Sequence, residues 1–291
     1  MSKPLDRTGF VDALRRRVRL LDVALLAVVP VVMLAGYVLP YPIKRSLAFS
    51  YVDPSPITAV TAHYVHLSPG HLVANLAGYA VLASVGYLLA VLADRRRLFG
   101  LSMVVYLFVF PPVLSALNLA VPRPAITYGF SGVNMAIAGL FPLLLAGYLG
   151  RRLIGTVSGR DAPVLFFLVM ALIALIAIPR RPVTLLVAAG SGLVALVYMG
   201  RLVANAGTGS GNIVGFDRES GPLEGWVELG AAGVIVAIGY PLVGFPADVT
   251  GPGLVVNLYV HTLGYSIAFI VPYIAFELGL LTEPGEKGFS R

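Results

Sequence analysis

Residues 70–93 read GHLVANLAGYAVLASVGYLLAVLA, an uninterrupted run without a single Asp, Glu, Lys or Arg. An α-helix needs about 20 apolar residues to cross roughly 30 Å of hydrocarbon, so this run is long enough to span a membrane. Further charge-free stretches occur at 23–43, 98–122, 124–150, 162–179, 182–200, 229–247 and 249–276. No single water-soluble core could hold so many apolar runs, and the sequence therefore predicts a polytopic membrane protein.

The charged residues are few, and the basic ones lie at the ends of the apolar runs. Only 12% of the 291 residues are charged, about half the share usual in soluble proteins, and the mean hydropathy is +0.87. The net charge of +7 therefore indicates contact with a bilayer and no nucleic-acid partner. The absence of cysteine excludes disulfide bonds, thiolate metal sites and cysteine nucleophiles.

The breaks between the runs predict an all-α bundle of about eight transmembrane helices. Their expected positions are near 20–40, 70–93, 98–119, 131–149, 162–178, 183–202, 226–246 and 254–276. They form one membrane-embedded domain over 20–280. A basic cytoplasmic segment over 1–19 precedes that domain, and a cytoplasmic tail over 281–291 follows it.

The distribution of basic residues predicts the orientation of the bundle. With the N-terminus in the cytoplasm, 16 of the 21 Lys and Arg fall on the inner side. Both termini are therefore expected in the cytoplasm, and the chain is expected to be a multi-pass protein of the cell membrane. Arg180 and Arg181 are the local exception, and the helix count depends on the short turn that contains them.

Four histidines, His63, His66, His71 and His261, are all that the chain contains, and the topology brings them to the outer side. Polar side chains at membrane depth are costly, which makes each a functional candidate. His71 and Asn75 are four residues apart on one helix face, where both can donate hydrogen bonds to a single oxygen atom. The alternative is that the pair only joins neighbouring helices.

Residues 128–134, YGFSGVN, open the fourth predicted helix. Ser131 lies between Gly129 and Gly132, so another backbone can approach closely and the hydroxyl lies at a helix N-terminus with unpaired N–H groups. Such N–H groups can stabilise a developing negative charge. Taken alone, a serine in this position is more often a helix cap than a nucleophile.

Small residues at helical spacing predict that the fourth and eighth helices pack closely. They are Gly132, Ala136 and Gly139 in one helix and Gly264 and Ala268 in the other. Small residues allow membrane helices to pack backbone to backbone. This packing would bring the Ser131 hydroxyl within reach of the His261 ring.

Together these motifs resemble those of the rhomboid family of intramembrane serine proteases. The resemblance rests on H-x4-H-x3-N at 66–75, on GFSG at 129–132, and on His261 followed by Gly264, and it covers roughly residues 57–275. It implies a rhomboid-like helical bundle of prokaryotic type.

The resemblance also implies roles for individual residues. Ser131 would be the nucleophile and His261 its base, in a dyad without an acid. His71, Asn75 and the backbone N–H of Ser131 would bind the oxyanion, and His66 would have a structural role. Met135 takes the place of an aromatic residue that often stacks on the histidine in the family.

The chain departs from the family pattern at two further places. Three helices are expected between the serine and histidine helices, where one is usual, although the added pair preserves their parallel direction. The Trp-Arg pair frequent in the first outer loop is missing, since Trp226 is the only tryptophan.

The sequence thus predicts a hydrolase: a serine protease that cleaves transmembrane segments of other proteins near the outer face, through an acyl-enzyme and without cofactor or metal. A rhomboid-like pseudoprotease that binds membrane proteins without cutting them is the alternative. Ligand type alone would also allow a zinc site of His63, His66 and His71, and a histidine-lined transporter is disfavoured by the lack of buried carboxylates. Substrate, cleavage site and oligomeric state are not set by the sequence.

Overall fold

Helices account for nearly all of the secondary structure in the computed structural model, which describes residues 9–121, 123–176, 182–208, 224–246, 250–251, 254–255 and 257–280. Seven helices are long and apolar enough to cross a membrane, and a bent pair supplies an eighth candidate. The chain is therefore an all-α, multi-pass membrane protein, as the apolar runs predict.

Twelve α-helices are present in this part of the chain. They are α1 Phe10–Arg17, α2 Leu20–Tyr37, α3 Tyr41–Ser46, α4 Pro56–Thr61, α5 Pro69–Leu92, α6 Arg96–Phe108, α7 Phe110–Asn118, α8 Ser131–Arg152, α9 Ala162–Ile176, α10 Pro182–Thr208, α11 Trp226–Gly244 and α12 Leu258–Glu277. Two short antiparallel ribbons complete the fold: β1 Phe49–Ser50 pairs with β2 Ile126–Thr127, and β3 Thr250–Gly251 pairs with β4 Leu254–Val255.

The predicted third helix over 98–119 is interrupted. It consists of α6 and α7, which meet at Val109 with a bend of 48°. Pro111 and Pro112 follow the break directly, and a proline removes a backbone donor and clashes with the preceding turn. The two prolines therefore account for the bend, although the charge-free run alone does not predict it.

Two predicted helix boundaries are also wrong. The sixth predicted helix over 183–202 is too short, because α10 continues to Thr208 into the glycine-rich stretch. The last begins at Leu258 rather than 254, since Leu254–Val255 is a strand. The basic segment over 1–19 contains α1, whose Ala13 is buried. The turn with Arg180 and Arg181 lies outside the described residues.

Helix α8 forms the centre of the bundle and packs against α5, α11 and α12. A Cβ atom added to Gly264 would collide with the carbonyl oxygen of Gly132, and one added to Gly139 would collide with that of Tyr265. The backbones of α8 and α12 are therefore in direct contact. Membrane helices associate through such close van der Waals packing, because lipid provides little hydrophobic driving force between them.

Helices α9 and α10 follow α8 in the chain and, with α11, make up the three helices expected between Ser131 and His261. Phe166 of α9 stacks on Phe269 of α12 with ring centroids 4.1 Å apart, whereas α10 packs mainly on α9 and is largely exposed. Helix α11 lies beside α5 and α8. The pair is therefore a peripheral hairpin, and α11 fills the position beside the two helices that carry Asn75 and Ser131.

Candidate active site

A cavity of about 260 Å³ lies at the N-terminal ends of α5, α8 and α12. Polar side chains of its wall include His63, His71, Asn75, Ser115, Asn118, Ser131, Asn257 and His261. Its volume and the polar side chains in its wall suit several water molecules. The fold thus brings the predicted nucleophile, base and oxyanion donors to one cavity.

The loop before Ser131 is fixed by backbone contacts. The β1–β2 ribbon ends at Thr127, and the N–H of Gly129 donates to the carbonyl of Ala62 at 2.8 Å. Gly129 has a φ of +105°, and an added Cβ atom would meet Nε2 of His71 at 2.7 Å. Only glycine fits both the left-handed backbone and the adjacent ring.

Ser131 is the first residue of α8, and no side chain caps this helix end. The N–H groups of the first turn are therefore unpaired by the helix itself. Ser131 and Gly132 both line the cavity. The helix N-terminus thus supplies backbone donors at the position where the serine hydroxyl would react.

The His261 ring is held by the end of α11. Its Nδ1 atom lies 2.6 Å from the carbonyl oxygen of Gly244, and the ring of Phe245 packs edge-on at a centroid distance of 5.9 Å. A carbonyl only accepts, so Nδ1 carries the hydrogen and Nε2 keeps its lone pair. Nε2 of His261 and Oγ of Ser131 both belong to residues that line the cavity, but they form no hydrogen bond with each other or with any other described residue, so the expected contact within the dyad is not formed. Both atoms are therefore available for chemistry.

Asn75 is buried, and its amide nitrogen donates to Nε2 of His66 at 2.9 Å. The N–H of Phe130 also points at this nitrogen, at 3.4 Å. Burial, with a smaller effect of nearby His71, lowers the pKa of His66 to about 3, so the ring is neutral and can accept. The Asn75 amide has a second N–H, which remains free for an oxygen in the cavity.

His71 also faces the cavity, one helical turn from Asn75, and its ring lies edge-on to those of His66 and Tyr128. Its Nδ1 atom is buried without a hydrogen-bond partner. The predicted pairing of His71 and Asn75 on one face is therefore present, and His66 holds Asn75 from behind.

Comparison with protein-family models, curated proteins and solved structures found no match. The family resemblance of the motifs therefore stays a prediction. The chemistry that this cavity could perform is therefore indicated only by the residues that line it.

The role expected of Met135 belongs to other groups. Met135 lines the cavity, but its sulfur lies against the end of α11, where a Cβ atom at Gly244 would meet it at 2.7 Å. The contact that orients the His261 ring is the Gly244 carbonyl, and the aromatic neighbour is Phe245. Both residues lie in the last turn of the helix predicted over 226–246, which gives no signal of this role.

Two polar residues of the wall near His63, namely Ser115 and Asn118, have no role in the sequence prediction. Nε2 of His63 lies 3.1 Å from Oγ of Ser115, and that hydroxyl donates to the carbonyl of Ala59 at 2.8 Å. Burial lowers the pKa of His63 to about 4, which keeps the ring neutral. Ser115 and Asn118 are three residues apart on one face of α7, and this spacing is the signal that could have identified them.

Asn118 belongs to a hydrogen-bonded cluster at the rim of the cavity. The Nδ2 atom of Asn257 donates to Oδ1 of Asn118 at 3.1 Å and to the Tyr51 hydroxyl at 3.2 Å. Arg123 also donates to the Tyr51 hydroxyl. The cluster ties α7 to the start of α12, and so fixes the segment that leads into His261.

The three clustered histidines do not converge as metal ligands. His63 contacts Ser115, whereas His66 contacts Asn75 and Phe130. Among the described residues no three His, Cys, Asp or Glu side chains form a group that could hold a metal ion.

Proposed function

We propose that this protein is an intramembrane serine endopeptidase of rhomboid type, which cleaves peptide bonds in the transmembrane segments of other proteins. One observation carries the proposal. Ser131 at an uncapped helix N-terminus shares a cavity with a histidine whose Nδ1–H is fixed by a backbone carbonyl.

The first half of the reaction forms an acyl-enzyme. Nε2 of His261 takes the proton of the Ser131 hydroxyl as Oγ attacks the carbonyl carbon of the scissile peptide. The resulting oxyanion accepts hydrogen bonds from Asn75, His71 and the Ser131 N–H. The carbon–nitrogen bond then breaks, and His261 gives its proton to the leaving amine.

The second half uses water in place of the serine. His261 takes a proton from water, the oxygen attacks the acyl carbon, and the ester bond to Ser131 breaks as Oγ regains its proton. Besides the dyad, the wall carries hydrogen-bonding groups at His63, Ser115 and Asn118, which can bind the water required within the bundle.

The Gly244 carbonyl takes the place that a carboxylate has in a catalytic triad. It selects the productive tautomer and ring orientation, and its partial negative charge stabilises the imidazolium formed after proton transfer. A carbonyl is weaker in this role than a full charge. The site therefore depends on rigid placement of the end of α11.

The positive-inside distribution supports a location in the cell membrane with both termini in the cytoplasm. In that orientation the cavity opens toward the outer half of the bilayer, and substrates would be cut near the outer face. The peripheral α9–α10 hairpin contributes no described residue to the cavity wall.

Serine-selective labelling tests this proposal directly. Purified protein would be treated with a fluorophosphonate probe, and the modified residue would be located by mass spectrometry. We expect labelling of wild type and of Ser115→Ala, and none of Ser131→Ala. Labelling lost in Ser115→Ala but retained in Ser131→Ala would overturn the assignment of the nucleophile.

A cleavage assay separates the enzyme from a pseudoprotease. Wild type would be reconstituted with a model transmembrane substrate, and product formation would be compared with that of Ser131→Ala. A folded wild-type protein that binds the substrate, but neither cleaves it nor reacts with the probe, would be a binding protein without catalytic activity.

A further inference from the structure

A second cavity, of about 480 Å³, lies between α2, α5 and α6 and shares no lining residue with the first. Its walls are almost entirely apolar and include Leu25, Val28, Val32, Phe99, Met103 and Val104. Val28 is 51% exposed and Val104 is 56% exposed. The cavity is therefore a cleft that opens sideways, toward the surrounding lipid.

The cleft has the length of one lipid leaflet. On α2 its lining residues run from Asp22 to Val32, which corresponds to about 15 Å at 1.5 Å per residue. The hydrocarbon core of a bilayer is about 30 Å thick, so this is roughly half of it. Helix α2 is loosely packed, with only Val29 and Met33 buried, which leaves room along its face.

An extended hydrocarbon chain is much narrower than a helix with side chains, which is about 10–12 Å across. The cleft, with a volume of about 480 Å³ and an almost entirely apolar wall, has room for such a chain along its length.

One end of the cleft is polar and internally neutralised. The Tyr87 hydroxyl donates to the Asp22 carboxylate at 2.7 Å, and Arg96 forms a salt bridge with the same carboxylate. Arg96 also donates to the backbone carbonyl of Arg17. Asp22 and Arg96 thus close this end of the apolar cleft, and their opposite charges balance each other.

The surface around this end is strongly basic. Residues 9–22 and 94–97 together carry seven arginines and three aspartates. Arg97 is on the same helical face as the lining residues Gly100 and Val104, and Arg19 is on the same face as Asp22. Both Arg19 and Arg97 are exposed, and neither has an ion-pair partner among the described residues.

We propose that this cleft binds one acyl chain of an anionic phospholipid, whose phosphate is held by Arg19 and Arg97. The apolar part of the cleft has about the length of one acyl chain. The two arginines without ion-pair partners at the polar end of the cleft suit a headgroup with net negative charge. A phospholipid with a zwitterionic headgroup could place its acyl chain in the same cleft, but its headgroup would be attracted less strongly by the net positive charge. The bound lipid would also fill the gap between α2 and the rest of the bundle.

Photo-crosslinking tests the site. Delipidated protein would be placed in phosphatidylcholine nanodiscs with a trace of phosphatidylglycerol that carries a diazirine on its acyl chain. We expect crosslinks on the segments 25–32 and 99–108, displaced by unlabelled phosphatidylglycerol and far less by added phosphatidylcholine. Equal displacement by the two lipids, or equal labelling of exposed α10, would overturn the proposal.

Two matched pairs of variants sharpen the test. Gly100→Phe fills the cleft, whereas Gly190→Phe is its control, because at both positions an added Cβ meets nothing within 4 Å. Only Gly100→Phe should abolish specific crosslinking. Likewise, Arg19→Gln with Arg97→Gln should weaken competition roughly fivefold per arginine, since one basic residue near an anionic lipid surface contributes about 1 kcal/mol. The charge-matched control is Arg160→Gln with Arg201→Gln.

The lipid site is independent of the proposed protease chemistry. Ser131→Ala should bind the probe lipid like wild type, so a failed cleavage assay leaves this inference standing. If Gly100→Phe does not fold, the arginine variants decide the outcome. Unchanged competition in the double arginine variant would refute the role of the headgroup.

Discussion

The Nδ1 atom of His261 lies 2.6 Å from the carbonyl oxygen of Gly244, a residue 17 positions earlier at the end of the preceding helix. This contact makes the orientation of the His261 ring a property of the α11 C-terminus. Any change that moves the end of α11 therefore alters the tautomer and position of the His261 ring, even without touching the serine helix.

Removing either member of the dyad is expected to abolish catalysis. Ser131→Ala and His261→Ala should each reduce cleavage of a model transmembrane substrate to background, and the double variant should be no worse, because the two residues act as one unit. The thermal unfolding midpoint in detergent should change little for Ser131→Ala. Substantial cleavage by either single variant would contradict the proposed dyad.

Loss of the Asn75 amide should slow the reaction without stopping it. One oxyanion donor contributes about 3–4 kcal/mol at most, and His71 and the Ser131 N–H remain, so Asn75→Ala should lower kcat by roughly 10 to 1,000-fold. KM should change much less. Steady-state kinetics in nanodiscs would measure this. An unchanged kcat would mean that Asn75 only anchors helices.

The contact between α8 and α12 should not tolerate a single methyl group. In Gly264→Ala the new Cβ collides with the Gly132 carbonyl, and backbone cannot move aside as a flexible side chain would. We expect destabilisation of about 1–3 kcal/mol and loss of activity, since α12 carries His261.

The matched control for this helix contact is Gly239→Ala in α11, where an added Cβ meets nothing within 4 Å. Replacing glycine by alanine in an open helical position should be neutral or slightly stabilising. Thermal unfolding of both variants in the same detergent gives the comparison. Equal stability of the two would refute backbone contact at Gly264.

Acid should destabilise the fold through the buried histidines. Burial lowers the pKa of His63 to about 4 and that of His66 to about 3, whereas an unfolded histidine titrates near 6.5. Below about pH 6.5 the unfolded chain binds protons that the folded chain does not. The free energy of unfolding should therefore fall by up to about 1.4 kcal/mol per pH unit for each histidine.

Thermal unfolding between pH 7.5 and pH 4.5 would measure this effect, with His63→Gln as the comparison. The variant should show a shallower decline in its unfolding midpoint as the pH falls. A pH-independent midpoint in wild type would contradict the lowered pKa values of both rings.

The sequence predicts much of this architecture because lipid imposes simple rules. A membrane helix must be long and free of charge, so the spans follow from the positions of charged residues. The small residues that join α8 and α12 are equally readable, since their spacing follows helical geometry. To predict the bend at Val109, the nearby prolines must be considered as well.

The parts of the site that the sequence does not reveal depend on backbone groups or on short connections. The Gly244 carbonyl is invisible to any search for polar side chains. Leu254–Val255 reads as part of an apolar helix, yet it forms a strand because it pairs with Thr250–Gly251. Contacts of this kind follow from tertiary structure and leave no residue-type signature.

The central position of α8 has a consequence for biosynthesis. Two of the helices that enclose it, α11 and α12, follow it in the chain, and His261 is made 130 residues after Ser131. At a synthesis rate of about 5–20 residues per second, His261 is added roughly 6–26 s after Ser131. During that interval the nascent chain lacks the proposed dyad, so under the proposed function it could not cleave other membrane proteins emerging at the same insertion site.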